Sequence, residues 1–283
     1  VETLMSDKPG RDPRWPKKRS GFAAFALTEP DAGSDAGACR TTADKTPDGS
    51  EYILNGRKCF ITNACYADFM CVVASVDRSL GYKGLTMFLV DAHLPGVSIG
   101  KHEDKMGIRQ SATCDVIFED VHIPASAIIG KEGEGFKIAM MALDGGRIGM
   151  AAQALGICEA AIAASVKYMG ERVQFGKPIG KNQGLQWYLA DMATRTEAAK
   201  ALILEAAVAA DNGQPLSKLA AMCKYYASEN AVWVTNKALQ IHGGYGYMRD
   251  YPIERMYRDA RIVPIYEGTS EVQKMVIARE VMK

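Results

Sequence analysis

Two rhythms of apolar residues divide the chain. From Phe22 to about Pro124, β-branched and apolar runs of strand length recur: FAAFALT, EYILNG, FMCVVASV, GLTMFLVDA and CDVIFEDVHIP. Turn formers stand between them, including Pro47-Asp48-Gly49, Asn55-Gly56 and Pro95-Gly96. Glycine and asparagine reach left-handed backbone, and proline presets φ. Strands joined by turns, before any helix, predict a β domain, a barrel or sandwich, and argue against a doubly wound α/β sheet. From about Gly133 the spacing becomes helical. Leu185, Leu189 and Met192 share one helix face, and Leu219, Cys223, Tyr226, Asn230 and Val234 share another. Helices are predicted near 134–172, 181–212 and 217–241, with breaks at Phe175–Pro178 and Asn212–Pro215 and a shorter helix after Ser270. The expected organisation is a β-barrel or sandwich domain over residues 21–128 followed by a C-terminal four-helix bundle over 129–283.

Residues 1–20 fit neither rhythm. Lys8, Arg11, Arg14, Lys17, Lys18 and Arg19 lie among three prolines with little apolar content, so this stretch reads as a solvated leader or the edge of a truncated chain. Composition narrows the rest. With 283 residues and 48% hydrophobic content the chain can bury a sizeable core, and a net charge of +1 gives no electrostatic reason for a nucleic-acid partner. No uninterrupted apolar run suits a bilayer. The most apolar stretch, Ile148 to Val166, carries Gln153 and Glu159 and reads as a buried helix. Seven dispersed cysteines without a CxxC pair point to free thiols in a reducing compartment, and the four scattered histidines give no metal-ligand spacing. No metal site is expected.

Five segments carry candidate chemistry. ALTEPDAGSDAG, residues 26–37, puts Thr28, Gly33 and Ser34 directly after a strand, where small residues and hydroxyls admit a flat ligand or simply dress a turn. FITN, residues 60–63, offers Phe60 and Thr62 on one strand face. LDGGRIG, residues 143–149, pairs Asp144 with Arg147 at i,i+3. Its paired glycines cost about 1 kcal/mol each in a helix, which suggests a close approach to the backbone. RVQFGKPIG, residues 172–180, sets Arg172 at a helix end, where it neutralises carbonyls or holds a phosphate. The fifth, IYEGTS, residues 265–270, places Glu267 in an apolar and aromatic setting suited to a carbon-acid base. An ordinary capped helix start, with Ser270 and Gln273 as the capping box, accounts for it too.

In this order and spacing, ALTEPDAGSD and the segment Gln240 to Asp259 resemble the two signatures of the acyl-CoA dehydrogenases, and the likeness runs from about Phe22 to the C-terminus. The resemblance implies FAD between a β domain and a helical bundle. It assigns flavin contacts to Phe25, Leu27, Thr28, Gly33, Ser34, Phe60 and Thr62. Arg172, Gln174 and Phe175 match residues reaching the FAD of a neighbouring subunit, Gln240 and Gly244 a pyrophosphate and adenosine contact, and Thr269 and Glu271 further cofactor positions. Glu267 matches the catalytic base. Ser34, Asp144, Arg147, Tyr266 and Gly268 match substrate positions. Some relatives carry the base on the helix, where this chain has Gly145 and Gly146; that departure leaves Glu267 as the candidate and favours a straight acyl chain.

The implied activity is α,β-dehydrogenation of a short- or medium-chain acyl-CoA to trans-2-enoyl-CoA. An electron-transferring flavoprotein would be the acceptor and a homotetramer the assembly, in the cytoplasm of a bacterium or a mitochondrial matrix. An acyl-CoA oxidase, an enoyl-CoA reductase and a non-catalytic scaffold are the alternative readings. Relatives carry an N-terminal helical domain that this chain does not resemble, so the chain reads as incomplete.

Overall fold

The computed structural model describes residues 22–283, and the basic leader expected over 1–20 lies outside them. The chain divides into two compact units, residues 22–104 with Arg109–Met141, and Lys105–Ile108 with Ala142–Lys283.

The first unit is built from β1 (Ala23–Ala26), β2 (Thr42–Lys45), β3 (Glu51–Thr62), β4 (Phe69–Ser75), β5 (Leu85–Asp91), β6 (Val97–His102), β7 (Thr113–Pro124) and β8 (Ile128–Ile129). They form one sheet in the order β6-β7-β3-β2-β4-β5-β8, with β1 and β2 both parallel to β4. Among the described residues the end strands do not pair with each other, so the expected barrel is an open sheet. The reason is local: β8 has two residues, and β6 loses register against β7 between Ile99 and His102, so neither edge offers a full ladder. Alternating residues such as Tyr52 and Leu54, Met70 and Val72, Phe88 and Val90, and Val116 and Phe118 turn into one apolar cluster.

Two bulges decide which side chains face out. Leu54 faces Val121 while Gly56 faces Phe118, so β7 carries an extra residue there, with Asp120 at φ 50°. Lys58 faces Val116 while Ile61 faces Cys114, so the extra residue is now on β3, with Phe60 at φ 57°. Each extra residue flips the inside–outside alternation. Asn55-Gly56, expected as a turn, therefore lies inside β3; glycine is needed because a Cβ would sit 2.5 Å from Thr41 Oγ1.

Between the bulges sits a fully buried cation. Lys58 Nζ donates to Glu29 Oε1 at 2.7 Å and to the Leu27 carbonyl at 3.1 Å. Glu29 also accepts from Cys39 Sγ and from the backbone N–H groups of Arg40 and Thr41. Burial alone would raise the Glu29 carboxyl; the Lys58 charge and the hydrogen bonds outweigh it and hold the group down at about 2. This pair binds the loop after β1 to β3, aided by Cys59 N–H donating to the Thr28 carbonyl at 2.9 Å.

The second unit holds α1 (Gly135–Glu171, from Ala142 onward), α2 (Gln183–Asp211), α3 (Ser217–His242), α4 (Ile253–Ala260) and α5 (Ser270–Val281). Small residues bring three of them together: Ala151, Ala154, Cys158 and Ala161 of α1 meet Met192, Ala199 and Ile203 of α2 and Cys223, Ala227, Ala231 and Val234 of α3. α1 is long and apolar enough to cross a membrane by length and composition, and these alanines are its packed side. α5 supplies no member of that cluster. It docks through polar contacts, Ser270 Oγ donating to Glu229 Oε1 at 2.5 Å and Lys274 Nζ lying 5.0 Å from the Tyr225 ring. The expected four-helix bundle is thus a three-helix apolar core with a polar-docked fourth helix and the short α4. The charge-rich segment before α5 forms α4, which grips Lys105–Ile108: Arg258 Nη1 donates to the Met106 carbonyl at 2.8 Å, and Ile108 N–H donates to Asp259 at 2.6 Å.

Removing one member of the buried pair leaves the other charged and alone. Lys58→Met is expected to destabilise the first unit by about 3–5 kcal/mol, with Glu29→Gln added to Lys58→Met recovering much of the loss, as read by denaturant unfolding. Because the folded Glu29 carboxyl lies near 2, below its ordinary 4.5, its stabilisation is complete above pH 4.5 and is lost as pH falls toward 2.

Candidate functional site

The site is a turn. Between α4 and α5 the backbone enters the left-handed region at two successive residues, Glu267 at φ 55° and Gly268 at φ 87°. Glycine tolerates this; glutamate does so at a cost of roughly 1–3 kcal/mol unless its surroundings impose it. Here they do. Gln273 Nε2 donates to the carbonyls of Glu267 (3.1 Å) and Gly268 (2.9 Å). Arg147 Nε reaches the Glu267 carbonyl at 3.5 Å, and Lys224 Nζ donates to the Gly268 carbonyl at 2.7 Å. Three side chains from α5, α1 and α3 therefore fix two peptide groups. The Glu267 N–H has no acceptor among the described residues.

The carboxylate lies against α1. A Cβ built on Gly146 would stand 3.0 Å from Glu267 Oε2, whereas one on Gly145 would meet nothing within 4 Å. Gly146 is the close approach that the paired glycines suggested, and the approaching group is the Glu267 carboxylate. Burial raises the Glu267 carboxyl above its ordinary value, opposed by the charges of Arg147 and then Lys224. Arg147 is sealed from solvent and also binds Asp144 at 2.6 Å, and Asp144 accepts from Ser217 Oγ at 2.5 Å. Tyr266 donates its hydroxyl to Gln153 at 2.8 Å, and burial pushes its phenol up to about 12 despite that bond.

The helix cap differs from the expected one. Thr269, not Ser270, is the N-cap, its Oγ1 accepting from Val272 N–H at 3.3 Å. Ser270 is already helical and turns to Glu229, and Gln273 turns to the carbonyls of the base turn. Glu271 is exposed beside the cap. Lys224, Gln273 and Gln153 are the members that sequence reasoning missed. The one visible signal was a lysine inside the small-residue run AAMCKYYAS, on a helix otherwise patterned for burial.

The expected flavin contacts fall into two groups, one in each unit. In the first unit, Phe60 is 63% exposed on its bulge, with Thr62 exposed two residues on. Phe25 and Thr28 are half-buried, Leu27 is buried, and Gly33 and Ser34 are exposed with nothing within 4 Å of a Cβ at Gly33. An aromatic ring held outward on strained backbone beside hydroxyls and an open glycine suits a flat, polar-edged heterocycle, so these residues fit a flavin. In the second unit, Arg172 lies 5.3 Å from the Tyr245 ring, which brings it to the segment carrying Gln240 and Gly244, both exposed. Gln174 and Phe175 sit on a two-residue hairpin, β9 (Val173–Gln174) with β10 (Lys177–Pro178), whose corner residues Phe175 and Gly176 both have positive φ, and the Phe175 ring is 97% exposed. Elsewhere, Cys65, His102 and Cys114 bring one ligand atom each within 4.8 Å of one another. They come from a 3-10 turn and two strands, so no spacing in the chain announces them, and three donors are one short of a structural zinc site.

Comparisons with known proteins show which family the chain resembles. The acyl-CoA dehydrogenase middle-domain profile matches residues 24–121, and the C-terminal-domain profile matches residues 133–282. The chain is 60% identical over 266 residues to an acryloyl-CoA reductase (NADH) of Anaerotignum propionicum, covering 94% of this chain and 68% of that protein. It is 53% identical to a short-chain specific acyl-CoA dehydrogenase of Megasphaera elsdenii, covering 90% of this chain and 66% of that one. The structure of butyryl-CoA dehydrogenase from the same organism superposes with a TM-score of 0.91 at 52% identity, covering 93% of this chain and 68% of that one. The chain thus spans about two thirds of the length of these relatives.

Filling the space above Gly146 is expected to separate stability from activity. Gly146→Ala improves helix propensity by about 1 kcal/mol and is expected to leave the melting temperature equal or higher, while the displaced carboxylate lowers turnover. Paired melting and rate measurements check it.

Proposed function

The chain belongs to the acyl-CoA dehydrogenase family, and we propose that it carries out α,β-dehydrogenation of a short, straight acyl-CoA with Glu267 as the α-proton base. The coarser activity follows from the family: a flavin-dependent oxidoreductase acting on the CH–CH group of an acyl-CoA thioester. The observation that supports the finer reading is the Glu267 carboxylate held against Gly146 by a turn that four hydrogen bonds fix.

A thioester α-proton is too weakly acidic for a carboxylate in water. Burial raises the Glu267 carboxyl toward the working pH and makes it a stronger base. Its own N–H is available to the thioester carbonyl oxygen, where it would stabilise the negative charge developing as the α C–H bond breaks. Fixing the turn keeps both groups of one residue at a constant spacing. Tyr266, anchored to Gln153, walls the site beside the base. Thr28, Phe60 and Thr62 of the first unit are the residues proposed to hold FAD, and Arg172, Gln240 and Gly244 of the second are proposed to reach the FAD of a neighbouring copy. When bound, FAD supplies the acceptor for the β-hydride.

The exposure of Phe175 supports its assignment to a neighbouring copy's cofactor, within a homotetramer. The proposed electron acceptor is an electron-transferring flavoprotein. A second reading has its own support: the 60% identical relative is an acryloyl-CoA reductase, and a glutamic acid with a raised pKa can equally donate the α-proton to an enoyl-CoA.

In the flavin-loaded protein, butyryl-CoA is expected to bleach the flavin band without oxygen, and Glu267→Gln to bind ligand without bleaching; a bleaching Gln variant removes Glu267 from this role. The direction is read from pH. As a base, Glu267 gives a kcat/KM that rises with pH through a pKa above 4.5; as an acid for enoyl-CoA reduction, it gives one that falls through the same pKa.

A further inference from the structure

We propose that Lys224 is the positioning residue of the Glu267 base: its solvent-sealed ammonium ties down the Gly268 carbonyl and so fixes the turn that holds the carboxylate to α1. The inference rests on the reading of Glu267 as the proton-transfer group.

Lys224 is 0% exposed, in the first third of α3 among small and apolar residues, and its hydrogen-bond acceptor is a neutral carbonyl at 2.7 Å. An ammonium removed from water is costly, and one carbonyl does not offset that cost. Gln273 already donates to the same oxygen at 2.9 Å, so capping that carbonyl does not itself require a cation. What the lysine adds is charge beneath the base. The charged groups that act on Glu267 are Arg147 on α1 and Lys224 on α3; Lys224 in turn feels Glu229 on its own helix and Glu271 on α5. Arg147 is engaged by Asp144 at 2.6 Å, and Glu229 by Ser270. Lys224 has no carboxylate within ion-pair distance among the described residues, so its field is shared among Glu267, Glu229 and Glu271. Burial and then the charge of Arg147 pull its ammonium down to about 8, which still leaves it charged at neutral pH. Together, Arg147 and Lys224 oppose the effect of burial on Glu267, whose carboxyl still lies above its ordinary value.

The sign is fixed by this arrangement. Taking away a nearby positive charge leaves burial less opposed, so the Glu267 carboxyl moves further up. In the flavin-loaded protein, Lys224→Gln is expected to keep flavin binding and KM, to lose roughly 10- to 100-fold in kcat, and to move the Glu267 limb of the pH profile to higher pH. Lys224→Arg restores the limb. Should Lys224→Gln fail to fold, Lys224→Met, matched to the apolar walls, carries the same reading. A limb unmoved in the neutral variants, with Glu267→Gln inactive, overturns the role of Lys224 alone. An active Glu267→Gln removes the base reading, and this inference falls with it.

Discussion

A glutamate does not settle into left-handed backbone unaided, and the polar interior of the helical unit is organised around holding one there. The Glu267–Gly268 turn is gripped at both carbonyls by Gln273, at one by Arg147 and at the other by Lys224. These donors come from three helices, so the turn forms only when the helices have packed. The alanine-rich seam of α1, α2 and α3 then acquires a second meaning. Small side chains stabilise the core through close approach, and the same closeness brings Arg147 and Lys224 under one turn. Function here is a consequence of how near the helices can come.

The sheet unit solves a related problem with a different charge pair. Lys58 and Glu29 are both sealed, and their bond ties the loop after β1 to the strand bearing Phe60 and Thr62. In each unit a buried lysine fastens a backbone carbonyl beside the residues expected to do chemistry: Leu27 in one, Gly268 in the other. Charge is spent in the interior where backbone must not drift.

The period change near Gly133, the five apolar strand runs and the three long helices were legible because each is long enough for its repeat to exceed noise. β2 and β6 were not: Thr42–Lys45 is short, and Val97–His102 is an edge strand with little apolar content. The bulges were invisible because an extra residue exists only relative to the partner strand, which is also why Asn55-Gly56 read as a turn. Glu267 could be singled out from its setting, and the glycines at 145 and 146 foretold a close approach. Lys58 and Lys224 could not be given their roles, since a lone lysine in an apolar strand or helix has no assignment until its partners, dozens of residues away, are seen, and Gln273 read as half of a capping box until its bonds to the Glu267 and Gly268 carbonyls were seen. The cap shows the same limit on a smaller scale. Thr269 and Ser270 are equivalent in the chain, and only Glu229 on a distant helix decides which one turns away.

The two glycines of α1 are not interchangeable, and this bears on how such a site can change over generations. The space above Gly146 is the seat of the carboxylate, while the space above Gly145 is vacant. A side chain gained at 146 starts 3.0 Å from the Glu267 carboxylate, which must shift to admit it. At 145 a side chain can be added while Glu267 keeps its place. The empty neighbour, rather than the occupied one, is the open door for relocating the chemistry.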